Sequence, residues 1–206
     1  MLLSGGVDSA TAVYLMRQTC SVRAVTFEFQ GIAKREVEAA RAIAGRAGVV
    51  EHRFVRLPDL REAGAIPGFN LGGRPPTYIP VRNSIFYAFA ASIAEETGAA
   101  LIAGGHNRDD AKVFDDVSSK FFAAQQAALR ASSPVLRRNR VRIVRPLRLK
   151  SKGEVVALAS RLGVPLGMTW SCHRDGEEHC WECPGCESRM KAFRRAGVAD
   201  PLAASL

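Results

Sequence analysis

The 206-residue chain has no charge-free run longer than twelve residues, Asn83 to Ala94 being one of that length, so nothing in it spans a bilayer as a helix. No Lys or Arg precedes Arg17, which leaves the N-terminus without the basic lead of a secretory signal. The cytoplasm is the expected compartment. Aromatic residues are missing between Ala123 and Trp170, so the most basic segment lacks the stacking platforms of a single-strand binder. Direct nucleic-acid binding is not expected. Acidic residues are missing between Val117 and Gly153, where ten basic residues fall: Lys120, Arg130, Arg137, Arg138, Arg140, Arg142, Arg145, Arg148, Lys150 and Lys152. Elsewhere nineteen basic residues face twenty acidic ones, so the net charge of +9 belongs to one segment. Residues 130–152 then either attract an acidic or protein partner or form a solvated arginine-rich face. With 47% hydrophobic and 24% charged residues, the composition excludes a disordered, collagen-like or coiled-coil chain. The length fits one domain with a substantial core.

Hydrophobic period and punctuation predict alternating strands and helices. Leu2 and Leu3 read as the end of a strand, short against the usual length of about 5–6 residues. Either that strand starts upstream or the protein lives with a clipped central strand. Helices are expected over Asp8–Arg17, 34–47, Arg82–Thr97 and Ser118–Arg130, and strands over Val22–Phe29, Val49–Val55, Ala100–Ala103 and Val141–Val144. A loop rich in proline and glycine covers 57–80. Ser151-Lys152-Gly153-Glu154 is a capping box opening a helix that ends near Gly163, and a short helix closes the chain. The pattern predicts an α/β fold, a doubly wound and mostly parallel sheet of about five strands, with ligands outside the carboxyl ends of the strands. We expect an α/β domain over 1–165 and a C-terminal lobe over 166–206, packed on the same domain.

Ser4-Gly5-Gly6-Val7-Asp8-Ser9 lies between a strand and a helix. Glycines let the backbone approach an anion, and the helix N-terminus supplies N–H groups and a positive dipole end. The Walker lysine and spacing are absent, which excludes a P-loop NTPase. An ordinary tight turn is the bland alternative. Four of the five cysteines (Cys172, Cys180, Cys183 and Cys186) fall within fifteen residues. Four soft ligands close a tetrahedral site and leave no position for substrate, so we read one structural Zn2+ per chain. An iron–sulfur cluster or four unligated thiols are the alternatives. Cys20 reads as a core residue.

The SGGVDS loop is similar to that of the PP-loop ATP pyrophosphatase superfamily, an adenine nucleotide alpha hydrolase-like fold. The run Leu166–Cys172 with the later cysteines resembles the QueC family of 7-cyano-7-deazaguanine synthases. Thr77–Asn83, Gly105–Ala111 and Phe114–Ser118 match further elements of that family. The resemblance spans Leu2 to Phe193. It implies a ligase that uses ATP with Mg2+ to turn 7-carboxy-7-deazaguanine and ammonia into 7-cyano-7-deazaguanine (preQ0), on the way to queuosine, and a homodimer. Carried over residue by residue, it implies that Ser4, Gly5, Gly6, Asp8 and Ser9 bind diphosphate, and that Thr26 and Phe27 border the adenine. Asp8, Lys152 and Arg82 would be catalytic; Lys152 could instead be a solvated helix-start lysine, and Arg82 a surface charge. Asn83, His106, Phe114, Asp116 and Trp170 would meet the substrate. His106 could equally be a satisfied loop histidine, and Trp170 a cover for the zinc lobe. Gln30-Gly31 reverses the family's usual order, and Ala33 stands where a histidine is common. A paralogue that adenylates another acid, for example in a defence system, is therefore the second reading. A nucleotide-binding scaffold without turnover is the third.

Overall fold

A computed structural model describes residues 1–74, 78–112 and 114–203; Thr77, part of one element quoted above, lies outside them. Strand β1 (Arg23–Phe29) pairs in parallel with β2 (Glu51–Leu57), and β3 (Leu101–Ala103) pairs in parallel with β4 (Arg142–Val144). Residues 1–3 join the two pairs. Leu3 N donates to Val25 O at 2.9 Å and Leu2 N to Ala103 O at 2.9 Å, and Leu2 forms a parallel bridge with Val25. The order is thus β2–β1–(1–3)–β3–β4, four ladder strands around a three-residue centre, where about five strands were expected.

The helices are α1 (Val7–Met16), α2 (Lys34–Ala47), α3 (Arg82–Thr97), α4 (Ser119–Ser132), α5 (Pro134–Arg138), α6 (Lys152–Arg161) and α7 (Pro184–Ala196). The Ser151–Glu154 capping box is present in both directions. Helix α5 was not foreseen: five residues are too few to show a period, and it stands on the Ser133 cap and Pro134 at its first position. It carries Arg137 and Arg138 of the basic run.

Successive strand side chains point to opposite faces, which splits the core in two. Leu3 and Ala24 pack with Val13, Ile43, Val156 and Phe193, whereas Val25 and Phe27 pack with Tyr87, Ile102 and Phe122. The sheet is therefore covered on both sides, as a doubly wound fold requires. Cys20 is half-buried rather than a core residue. The outer edge of β4 is occupied by a side chain: Ile143 N donates to Gln126 Oε1 at 2.6 Å, and Gln126 Nε2 donates to Val141 O at 2.9 Å. Among the described residues no helix is long and apolar enough to cross a membrane.

Candidate active site

The chain leaves the central segment at Leu3, and the carboxyl ends of that segment, of β1 and of β3 line one cavity. Gly5 adopts φ +87°, and a Cβ there would collide with Glu36 O and Ala40 N of the α2 backbone. Only glycine lets α2 close on this loop. Ser4 N donates to Ser9 Oγ at 3.2 Å, the two hydroxyls stand 3.1 Å apart, and Ser9 Oγ donates to Gly6 O at 3.1 Å. These bonds fix the loop that opens α1, whose first N–H groups have no partner in the preceding turn.

A second loop, after β3, closes on the first. A Cβ on Gly105 would lie 2.8 Å from Ser9 N, so this backbone rests directly on the start of α1. Asn107, 1% exposed, donates from Nδ2 to Asp8 Oδ1 at 3.1 Å. Its Oδ1 accepts from Asp109 N at 2.8 Å and Asp110 N at 3.1 Å. Lys152 Nζ lies 3.4 Å from Asp8 Oδ2, and Lys152 N donates to Asp109 Oδ2 at 2.9 Å. Asp8 is thus held from both sides. The Asp8 carboxylate raises the Lys152 pKa, keeping it an ammonium, while the Lys152 N–H lowers that of Asp109. Burial and the neighbouring Asp8 raise Asp110. Asn107 lies inside the Gly105–Ala111 element, but that resemblance assigns it no role. An asparagine beside two aspartates at a strand end was the available signal.

Two cavities meet at Asp8. The larger, about 310 Å³, is lined by Phe27, Phe29 and Phe86 together with Arg82, Asn83 and His106. The smaller, about 150 Å³, includes Gly6, Lys152, Trp170 and Ser171. The expected residues divide accordingly. Ser4, Gly5, Gly6, Asp8, Ser9 and Lys152 come together, and Trp170 N donates to Gly5 O at 3.0 Å. Thr26 does not border either cavity: its hydroxyl donates to Leu3 O at 2.6 Å and lies 2.8 Å from His52 Nε2. Asn83 donates from Nδ2 to Asp116 O at 3.1 Å, so it anchors the turn at Asp115–Val117 by its backbone. Phe114 and Asp116 lie outside the lining of both cavities, with Phe114 exposed.

His106 Nε2 is buried without a hydrogen-bond partner, and burial, helped by Arg82 and Arg145, holds the pKa down to about 4. The imidazole is neutral at pH 7. The folded protein therefore binds fewer protons than the unfolded chain between about pH 4 and about 6.5, and stability from this group is lost as pH falls through that window. Denaturant titrations should show the wild type losing up to about 1.4 kcal/mol per pH unit relative to His106→Gln there. Parallel pH dependence of the two proteins would contradict this.

At the other end, the Sγ atoms of Cys172, Cys180, Cys183 and Cys186 all lie within 4.8 Å of one another. The Cys180–Cys186 and Cys172–Cys183 pairs are each 3.9 Å apart. Zinc–sulfur bonds of about 2.3 Å in a tetrahedron require sulfur edges of roughly 3.8 Å, so the donor set suits that ion. Amides of His173, Arg174 and Cys183 donate to the sulfurs at 3.4–3.5 Å. Behind the cluster, Arg189 has a fully buried side chain. It makes a bidentate pair with Asp200 at 2.6 and 2.8 Å, and reaches Thr169 Oγ1 at 2.8 Å and Leu166 O at 3.1 Å. Sequence reasoning missed this pair, since nothing local marks it.

The family model described as "Queuosine biosynthesis protein QueC" matches residues 1–197. The 7-cyano-7-deazaguanine synthase of Trichodesmium erythraeum is 35% identical over 218 residues, covering 98% of each chain. That of Thermoplasma volcanium is 34% identical over 215 residues, covering 98% of this chain and 88% of its own. Among solved structures, the NMN synthetase of Francisella tularensis superposes with a TM-score of 0.53 at 16% identity, over 96% of this chain and 76% of that one, a likeness of fold alone. A phosphate-type loop sealed by Asn107 and Lys152, a four-cysteine cluster and these full-length matches agree: the chain belongs to the QueC family.

Proposed function

We propose that this chain converts 7-carboxy-7-deazaguanine and ammonia into 7-cyano-7-deazaguanine, consuming two ATP and releasing AMP and diphosphate. The observation that carries the reading is the Ser4–Ser9 loop with Asp8 clasped by Asn107 and Lys152, in a chain that matches QueC from end to end. A carboxylate is a poor acceptor for ammonia until it gains a leaving group. Adenylation supplies one, and diphosphate departs into the loop, where the Ser4 and Ser9 hydroxyls, the α1 N-terminus and Lys152 offset its charge. Ammonia then displaces AMP to give the amide. A second adenylation on the amide oxygen lets AMP leave as the nitrile forms. Asp8 and Asp110 are the carboxylates that would hold the Mg2+ accompanying ATP. Arg82 would neutralise developing phosphate or carboxylate charge, and the aromatic lining of the larger cavity would take a planar base. Nothing in the site favours the paralogue reading.

The test is mass spectrometry of a reaction containing the protein, ATP, Mg2+, ammonium and 7-carboxy-7-deazaguanine. Nitrile, AMP and diphosphate are expected; bound ATP without amide or nitrile would overturn the reading. We read the four-cysteine cluster as a closed structural Zn2+ site whose loss unfolds the lobe over 166–206. Metal analysis should find about one zinc per chain, and Cys183→Ser should lose it together with a cooperative transition. Iron in place of zinc would contradict this. The resemblance to the family further supports a cytoplasmic homodimer. Arg137, Arg138, Arg140 and Arg142, in no ion pair among the described residues, remain available to an acidic partner.

A further inference from the structure

Most polar groups around the larger cavity are already satisfied by the protein. Asp8 is taken by Asn107 and Lys152, Asn83 donates to Asp116 O, and Asp110 accepts from Asn107 N at 3.2 Å. Among the described residues three lining side chains are left without a partner, His106, Arg82 and Glu36, and of these Glu36 alone is a carboxylate that can only accept when ionised. The first turn of α2 brings it to the cavity wall, against the phosphate-type loop, where Gly5 has no Cβ to push it back. Among the described residues its carboxyl has no ion-pair or hydrogen-bond partner. Glu36 is half-buried, so its carboxyl faces the cavity free to accept donors that a ligand brings.

The rest of the wall limits what that donor can be. Phe27 and Phe86 stack at 4.2 Å with planes 3° apart, and Phe29 lies 5.9 Å from Phe86. Small hydrated cations gain nothing from such a surface, whereas a flat heteroaromatic ring does. Two bases enter the proposed reaction. Adenine places one N–H donor beside a ring nitrogen lone pair, which a carboxylate repels. The guanine-type edge places two N–H donors side by side, which the two carboxylate oxygens can accept together.

We propose that Glu36 is a specificity-determining residue that accepts from the adjacent ring N–H and exocyclic amine of a guanine-type base. This deepens the function proposed above and rests on it. Burial raises the Glu36 carboxyl to about 7, with Arg82 the cation pulling the other way, so near neutrality a proton is readily exchanged for the ligand's donors. Base binding therefore tightens as pH rises through that range.

The experiment compares the wild type, Glu36→Gln and Glu36→Asp in calorimetric binding of 7-carboxy-7-deazaguanine and its analogue lacking the 2-amino group, with KM for ATP measured alongside. The glutamine amide turns a donor toward one of the two N–H groups. The wild type should prefer the amino base by at least about 10²-fold, and Glu36→Gln should lose that preference with KM for ATP unchanged. Glu36→Asp should restore part of it, and the pH dependence of binding should vanish in Glu36→Gln. An unchanged preference in Glu36→Gln, or an effect confined to ATP, overturns the assignment. Binding needs no turnover, so a wild type that selects the amino base without making nitrile upholds Glu36 and overturns the reaction. A wild type that makes nitrile while Glu36→Gln binds the base normally does the reverse.

Discussion

Asp8→Ala is expected to lower ATP-dependent turnover by at least about 10²–10³-fold while leaving a folded, zinc-loaded protein. The size follows from position. Asp8 stands where both cavities meet, and its two oxygens divide between Asn107 and Lys152. Removing it frees the Lys152 ammonium from the anchor that aims it at the loop, and deletes one carboxylate of the proposed magnesium pair. Asp8→Asn serves as the companion variant, because it keeps the volume and a carbonyl for Asn107 but not the charge. Initial rates of AMP release, with melting curves as the folding control, decide the matter. Normal turnover in either variant would remove Asp8 from the chemistry.

Asp200→Ala should destabilise the protein by about 3–5 kcal/mol, because it strands the Arg189 guanidinium inside the fold. The Arg189 side chain is 0% exposed and that of Asp200 6%, so little water can replace the lost carboxylate. For a chain of this size each kcal/mol moves the melting temperature by roughly 2–4 °C, so the loss is visible in a simple thermal scan. The damage should reach the site as well. Arg189 holds Thr169 and Leu166, and Trp170, the next residue, holds Gly5 O. KM for ATP should therefore rise in variants that remain folded. A replacement by leucine at both positions is the informative control: an apolar pair of similar volume can recover stability that one lost partner cannot.

What could be read from the sequence was whatever is local. The capping box, the glycine-bearing loop and the four-cysteine spacing each carry their chemistry within a few residues, and each appears at its expected place. Strand parity was legible too, but only in part. Thr26 and Phe27 are neighbours on one strand and must face opposite sides; which side belonged to the cavity depended on where α2 and α3 pack. The Asn107 clasp, the Arg189–Asp200 pair and the unpaired Glu36 join residues far apart in sequence or derive their meaning from burial. No spacing rule marks them. Helix α5 escaped for the opposite reason, being so local that two capping signals had to stand in for a period.

The glutamine lying along β4 bears on how copies of this chain can associate. A bare outer strand offers its backbone to any extended segment, including the same strand of another molecule. Here the outward amide of Ile143 and carbonyl of Val141 are already matched by one planar side chain, with Arg130 Nε donating to that carbonyl at 3.2 Å. Continuing the sheet past β4 into a second molecule would mean evicting Gln126 first. On this flank the molecule carries its own guard against fibrous growth.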